Sequence, residues 1–292
     1  MLGEPGANNG NGLRPEGRVR FALNHMVQPQ LPLPAFFELA RQVGCDAVEI
    51  RNDIAGQAIL DGTPAAEVRS LAVDAGVEIL TINALQRFND WSATREREAA
   101  ALAAYARDCG AGAIILVPTN DGVSISGERL RDALRRLEPI LADAGIVGLV
   151  EPLGFAACSL RSKAEAVASI ADVGGARTFR LVHDTFHHHL AGEPQLFPHS
   201  TGLVHVSGVT DPALSVADMR DAHRVLVDAR DRIGNVEQIG ALVAGGYGGP
   251  VSFEPFSEEM RHLPDPAAAV RASMQAITGW ARRTALAEKL GV

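Results

Sequence analysis

From about residue 18 the chain repeats one pattern: a short apolar run, then a longer Ala- and Leu-rich stretch with helical spacing. The apolar runs predict strands near Val19–Asn24, Ala47–Arg51, Glu78–Asn83, Ala113–Pro118, Val147–Glu151, Phe179–Asp184, Leu203–Ser207 and Val251–Phe256. Their ends lie mostly about 27–35 residues apart, the length of one strand–helix unit. Eight such units predict an α/β fold, a single (β/α)8 TIM barrel over residues 18–292. Two intervals break the rhythm. Asp184 to His205 is only about 21 residues, so the intervening helix is short; His205 to Glu254 is about 49, which puts a long loop, Val209 to Arg232, over the barrel mouth.

The helical stretches carry ordinary punctuation. Leu33–Val43 opens after a proline and stops near Gly44. Pro64–Asp74 has Pro in its first turn and Gly76 beyond its end. Thr94–Cys109 stops at Gly110, and Ser126–Asp143 and Ser162–Asp172 continue the series. The final WARRTALAEKLGV reads as a last helix with a charged outer face. Residues 1–17, rich in Gly, Asn and Pro, have no apolar signal core and predict a disordered or loosely held tail.

Composition narrows the classes. The chain has 292 residues, of which 47% are hydrophobic, ample for one large core. A net charge of −8 with scattered Lys and Arg argues against nucleic acid as the main partner. Cys45, Cys109 and Cys158 are odd in number, distant and without a C-x-x-C, which disfavours disulfides or structural zinc and suits a reducing compartment. No apolar stretch approaches the roughly 18–20 residues that span a bilayer, so no membrane partner and a cytoplasmic setting are expected.

The chemistry gathers where the strands end, because barrel enzymes place their sites at the carboxyl ends of the strands. Read in order, those ends are Asn24-His25, Glu49-Arg51, Asn83, Pro118-Thr119, Glu151, Asp184, His205 and Glu254. An apolar strand has no packing reason to finish on a carboxylate, and burying one unpaired costs several kcal/mol. Glu151, Asp184, His205 and Glu254 on four successive strands make a candidate site for a hard divalent cation with mixed oxygen and nitrogen ligands. The alternative is that each acid merely faces solvent or a nearby arginine at a polar barrel rim.

The richest stretch is Arg180–Gly192, RLVHDTFHHHLAG, where Asp184 is followed by His187, His188 and His189. His187 and His189 are candidates for the site or, alternatively, loop histidines bonded to backbone; His188 is expected to point away. Trp91 and Phe88 form either a wall for a sugar ring or a loop cap. Arg224 reaches either a substrate oxygen or solvent. The cluster Gly245–Gly249 precedes the eighth strand, on the face opposite a phosphate site, so the expected substrate is an uncharged polyol or keto-sugar.

With these residues in view the chain resembles the xylose-isomerase-like superfamily of TIM barrels, which includes ketose 3-epimerases, hydroxypyruvate isomerases and apurinic endonucleases. Within it, the chain resembles the inosose (2-keto-myo-inositol) isomerase family. The matching pieces are Val48-Glu49-Ile50-Arg51, Asn83-Ala84-Leu85 with Phe88-Asn89, Val117-Pro118, Glu151, Leu181–His189, His205, Arg224-Val225 and Glu254, spread over residues 20 to 280 or so. The resemblance implies one divalent metal ion (Mn, Mg, Co or Zn) on Glu151, Asp184, His205 and Glu254. It implies that Glu151 and Glu254 also act as the acid–base pair, and that His187 and Arg224 contact substrate, with Asn83, His189 and Trp91 as further expected contacts. A homodimer or higher homo-oligomer is expected, since barrels of this group commonly pair.

The implied reaction is 2-keto-myo-inositol to 1-keto-D-chiro-inositol. Ketose 3-epimerase, inosose dehydratase and a non-catalytic sugar-binding regulatory barrel are the alternatives. An endonuclease is disfavoured, because those relatives hold three metals with additional histidines and need a basic groove. There is one departure. The family's Pro-Gly-x-Gly turn after the arginine is replaced here by Leu226–Asn235, LVDARDRIGN, so the lid over the substrate is expected to differ.

Overall fold

The structure is a computed structural model that describes residues 19–290 apart from 58 and 60, with side chains through residue 279. The expected tail at residues 1–17 and the charged outer face of the last helix lie outside what is described. Eight strands, β1 (Phe21–Asn24), β2 (Ala47–Arg51), β3 (Glu78–Gln86), β4 (Ala113–Val117), β5 (Val147–Val150), β6 (Phe179–Asp184), β7 (Thr201–Val206) and β8 (Val251–Phe253), pair in parallel in sequence order. β8 pairs back onto β1, Phe21 opposite Val251, and the sheet closes. The helices are α1 (Leu33–Gln42), α2 (Ala65–Ala75), α3 (Ala93–Cys109), α4 (Gly127–Ala144), α5 (Lys163–Asp172), α6 (Thr185–Ala191), α7 (Asn235–Ala244) and α8 (Pro266–Leu290). The fold is the expected (β/α)8 barrel. No helix among the described residues is long and apolar enough to cross a membrane.

Side chains alternate across a strand, so each strand feeds two layers. Ile114, Leu116, Val150, Leu181 and Val204 join the main core between sheet and helices, whereas Ile115, Leu149, Val182 and Leu203 form a separate cluster inside the barrel. Two residues beyond Leu149, Val182 and Leu203 on this inner face stand Glu151, Asp184 and His205; two beyond Ser252 stands Glu254. The inner apolar cluster is thus the floor on which the polar mouth rests.

The helices start and stop for local reasons. Ser92, Ser126 and Ser162 accept hydrogen bonds from the backbone amides of Arg95, Arg129 and Glu165, capping α3, α4 and α5. Gly110 ends α3 with φ of 85°, a conformation that favours glycine. β3 runs on to Gln86, beyond the expected end at Asn83, and β8 stops at Phe253, leaving Glu254 on the following loop. The short interval between β6 and β7 does hold a short helix, the 7-residue α6, and the long interval after β7 holds two 3-10 turns, Val216–Asp218 and Asp221–His223.

One close approach ties the loop after β5 to α6. A Cβ on Gly154 would lie 2.3 Å from the His187 carbonyl oxygen and 2.9 Å from the Ala191 nitrogen. These are backbone atoms, so no side chain can swing away. Gly154→Ala is expected to destabilise the fold by about 1–3 kcal/mol, read from urea unfolding; an unchanged midpoint would contradict this packing.

Candidate active site

Glu151, Asp184, His205 and Glu254 converge at the carboxyl ends of β5 to β8, each offering one ligand atom within 4.8 Å of the others. All four are buried. His205 Nδ1 lies 2.9 Å from Glu151 Oε1 and 3.2 Å from Glu254 Oε2, so it faces the centre of the group. Its Nε2 lies 3.1 Å from Glu49 Oε2, on the opposite side of the ring. Glu49 is itself fixed, accepting from Thr81 Oγ1 at 2.6 Å and from Asn24 Nδ2 at 3.3 Å.

Two arginines hold the remaining carboxylate oxygens. Arg224 Nη2 donates to Asp184 Oδ2 at 2.6 Å and to Glu254 Oε2 at 3.1 Å. Arg51 Nη1 donates to Glu254 Oε1 at 2.7 Å, while its Nε and Nη2 grip Asp53. Asn24 and Asn83 add amide donors to Glu254 Oε1 at 3.2 and 3.3 Å. Glu151, by contrast, accepts from His205 alone among the described side chains.

This asymmetry separates the two glutamates. Burial raises the Glu151 pKa, and the nearby charges of Glu254 and Asp184 raise it further against the pull of His205. Burial would raise Glu254 as well, but His205, Arg224 and Arg51 together hold it well below the usual carboxylate range. Burial alone would lower the His205 pKa; the carboxylates of Glu254, Glu49 and Glu151 outweigh it and hold the imidazole well above its ordinary value.

The donor set fits a divalent cation. Four fully or nearly fully buried carboxylates, Glu49, Glu151, Asp184 and Glu254, face only two buried guanidinium groups, Arg51 and Arg224. With His205 neutral, as a ligand imidazole is, the two negative charges left over match a doubly charged ion. With His205 Nδ1 as ligand, Nε2–H has Glu49 as its acceptor, the carboxylate–histidine pairing that orients imidazole on a metal.

A cavity of about 270 Å³ opens onto this group, walled in part by Arg51, Asn83, Phe155, His187, Arg224 and Phe256. His187 is buried, and its Nδ1 has no hydrogen-bond partner among the described residues. Its backbone amide donates to Asp184 Oδ1 at 2.8 Å, so the same aspartate caps α6 and sets the histidine's position. Arg224 is 1% exposed and stacks on Phe256, 4.6 Å from the ring centroid, which removes the solvated reading. Trp91 and His189 are not brought to the cavity: Trp91 packs against the main core, and His189 is half-buried beside the charges of Asp231 and Arg232. Phe88 is wholly buried in that core. The aromatic walls are instead Phe155 and Phe256.

The sequence profile described as "Xylose isomerase-like TIM barrel" matches residues 37–280. The chain belongs to the xylose isomerase-like TIM-barrel family. A xylose isomerase domain containing protein from Salmonella typhimurium LT2 is 34% identical with a TM-score of 0.82, the match covering 89% of this chain and 96% of that one. The IolI protein, solved with a zinc atom bound, is 20% identical with a TM-score of 0.77, over 88% of this chain and 97% of that one. An L-ribulose 3-epimerase is 17% identical with a TM-score of 0.66, over 92% and 98%. The latter two share the fold. No curated protein matches the chain. At this level the protein is a xylose isomerase-like barrel with a buried cluster able to hold a metal.

Three features of this family member carry no obvious mark in its sequence. Glu49 and Arg51 stand out only as polar strand ends; their roles behind His205 and Glu254 come from the inward register of β2. Lys163 looks like an ordinary first-turn helix lysine, yet it is buried and donates to His183 Nδ1 at 2.9 Å and His188 Nδ1 at 2.7 Å. His183 Nε2 then meets Gln238 Oε1 at 2.9 Å, and Gln238 Nε2 donates to the carbonyls of Thr185 and Ile233. This network fastens α5, α6 and α7 around the helix that carries His187. His188 points away from the cavity and into this network.

Burial lowers the Lys163 pKa to about 8, against the opposing pull of Glu193 and Asp184. The unfolded chain therefore holds more protons on this amine between about pH 8 and its ordinary 10.5, so its contribution to stability rises with pH across that window. Lys163→Met is expected to remove that rise in a denaturation series from pH 7.5 to 10; parallel curves for the two proteins would contradict it. Glu49→Gln is expected to weaken divalent-cation binding by about 10- to 100-fold in calorimetry without loss of fold. Equal affinities would detach Glu49 from the metal centre.

Proposed function

We propose that the protein is a metal-dependent isomerase of a cyclic keto-polyol, converting 2-keto-myo-inositol to 1-keto-D-chiro-inositol through an enediolate. The observation that carries this reading is the convergence of three carboxylates and one imidazole, two of which, Glu151 and Glu254, line a cavity of about 270 Å³. The metal ligands are Glu151, Asp184, His205 and Glu254. When bound, a divalent ion there supplies Lewis-acid polarisation of the ketone and its neighbouring hydroxyl.

The side chains divide the remaining work. Glu151, which accepts only one side-chain hydrogen bond among the described residues, has an oxygen free to act as base and removes the proton from the carbon next to the ketone. His187, Asn83 and Arg224 line the cavity and orient the substrate oxygens. Arg224 also offers positive charge near the enediolate oxygens as they develop. Phe155 and Phe256 exclude water from the carbanion-like centre. Trp91 and His189, away from the cavity, support the scaffold in this account.

The difference between the two glutamates favours isomerisation over epimerisation. A proton moved to the adjacent carbon on the same face needs one base, and Glu151 suffices. A 3-epimerase needs a second group to deliver a proton from the opposite face. Glu254 has one oxygen on Arg51 and the other on Arg224 and His205, which leaves neither free to deliver a proton. An inosose dehydratase would release a diketone chromophore, and a regulatory barrel would bind sugar without exchange.

The test is proton NMR of 2-keto-myo-inositol in deuterated water with manganese. The expected result is chelator-sensitive conversion to 1-keto-D-chiro-inositol, with part of the original hydrogen retained in the product. Glu151→Gln should lower kcat by about 10²–10⁴-fold. Turnover of a ketohexose at its third carbon with no reaction of the inosose would overturn the isomerase reading in favour of epimerisation.

A further inference from the structure

The cavity over the four ligands does not end at a single ring. A groove of about 860 Å³ continues from it, sharing Asn120, Phe155 and Asp221 with the inner cavity. The inner space of about 270 Å³ sits just below the roughly 300–1,000 Å³ that small-molecule sites usually span. The inner space is on the scale of one small ligand, and the groove extends beyond it.

The groove has a definite chemical character. It runs between the loop after β5 and the loop after β7, and its walls are largely apolar, with Phe155, Leu190, Val216 and Met219 among several alanines. Val216 is 44% exposed, one of three exposed large apolar side chains among the described residues, and it stands over this groove. Two arginines border it. Arg161 is anchored through Nε and Nη2 to the Gly154 carbonyl at 3.1 and 2.8 Å. Arg220 is anchored through Nη1 to the carbonyls of Ala217 and Met219 at 2.8 and 2.7 Å. Both are held by neutral backbone oxygens, and among the described residues neither forms an ion pair with a carboxylate; the acid that lines the groove, Asp221, is paired with Arg224.

We propose that the site also accepts keto-polyols bearing a second, mainly apolar group with an anionic edge, and that this group lies in the groove between Phe155 and the Val216–Ala222 segment. This rests on the isomerase reading for the ring in the inner cavity and extends it to the class of substrate. The apolar body removes Val216 and Phe155 from water, and the anionic edge meets Arg161 and Arg220.

The experiment measures binding of methyl, phenyl and 4-carboxyphenyl glucosides, as both anomers, to the manganese-loaded full chain by calorimetry. The 4-carboxyphenyl glucoside is expected to bind at least tenfold tighter than the methyl glucoside, with the phenyl glucoside between them. Ala156→Trp and Ala217→Trp, at exposed positions that fill the groove from its two loops, should bring the aryl-to-methyl affinity ratio close to one. Arg220→Gln should remove the advantage of the carboxylate and keep that of the phenyl ring.

Equal binding of the three glucosides, no measurable binding of either aryl glucoside, or a ratio unchanged by both tryptophans would overturn the proposal. So would a dimer in sedimentation that Ala217→Trp dissociates, because the groove would then be an interface between copies. The gradient is independent of catalysis. If it is present while no keto-polyol exchanges its carbon-bound proton, the isomerase reading fails and the subsite stands; exchange without the gradient removes the subsite alone.

Discussion

Uncompensated negative charge inside the barrel mouth is the constraint around which this molecule is arranged. Glu49, Glu151, Asp184 and Glu254 are all withdrawn from water, and none can be ionised there without a cationic partner. Arg51 and Arg224 supply part of the balance, the first bridging two acids and the second three. His205 stands between three carboxylates and, where no ion is bound, carries a further part of the electrostatic load. A divalent ion on the four convergent ligands would complete the balance and free His205 to serve as a neutral donor. The same arginines close the cavity, so charge compensation and substrate orientation use the same atoms.

The loop after β7 is held in place by its own hydrogen bonds. Where the resemblance calls for a Pro-Gly-x-Gly turn, this chain uses Leu226–Asn235. Gly208 and Val225 exchange backbone hydrogen bonds at 2.7 and 2.9 Å, which brings Arg224 over Asp184. Asp231 then receives the amides of Val209 and Asn235, and Asn235 Nδ2 donates to the Ser207 carbonyl at 2.9 Å. Gly234, with φ of 73°, permits the turn into α7. The lid is pinned by a carboxylate and an amide side chain in place of a proline turn.

Much of this was legible in the residues. The strand–helix rhythm gives the barrel, because apolar runs at a regular interval admit few other folds. Glu151, Asp184, His205 and Glu254 were visible because an apolar strand ending on a charged residue violates ordinary packing. Glu49 and Arg51 violate it too, but their partners lie across the barrel, and only the inward register reveals them. Lys163, Phe155 and Phe256 carry no such violation: a helix lysine and loop phenylalanines are common, and only their three-dimensional setting gives them roles. The outer groove is a property of two loops together and leaves no mark in either one.

The central claim is that four side chains at the ends of β5 to β8 share one divalent cation. Anomalous diffraction from crystals soaked in manganese tests it most directly. The account predicts a single strong peak within about 2.0–2.6 Å of one atom each from Glu151, Asp184, His205 and Glu254. A featureless map at that point, with the four side chains keeping their mutual contacts and the ion bound elsewhere or not at all, would contradict it.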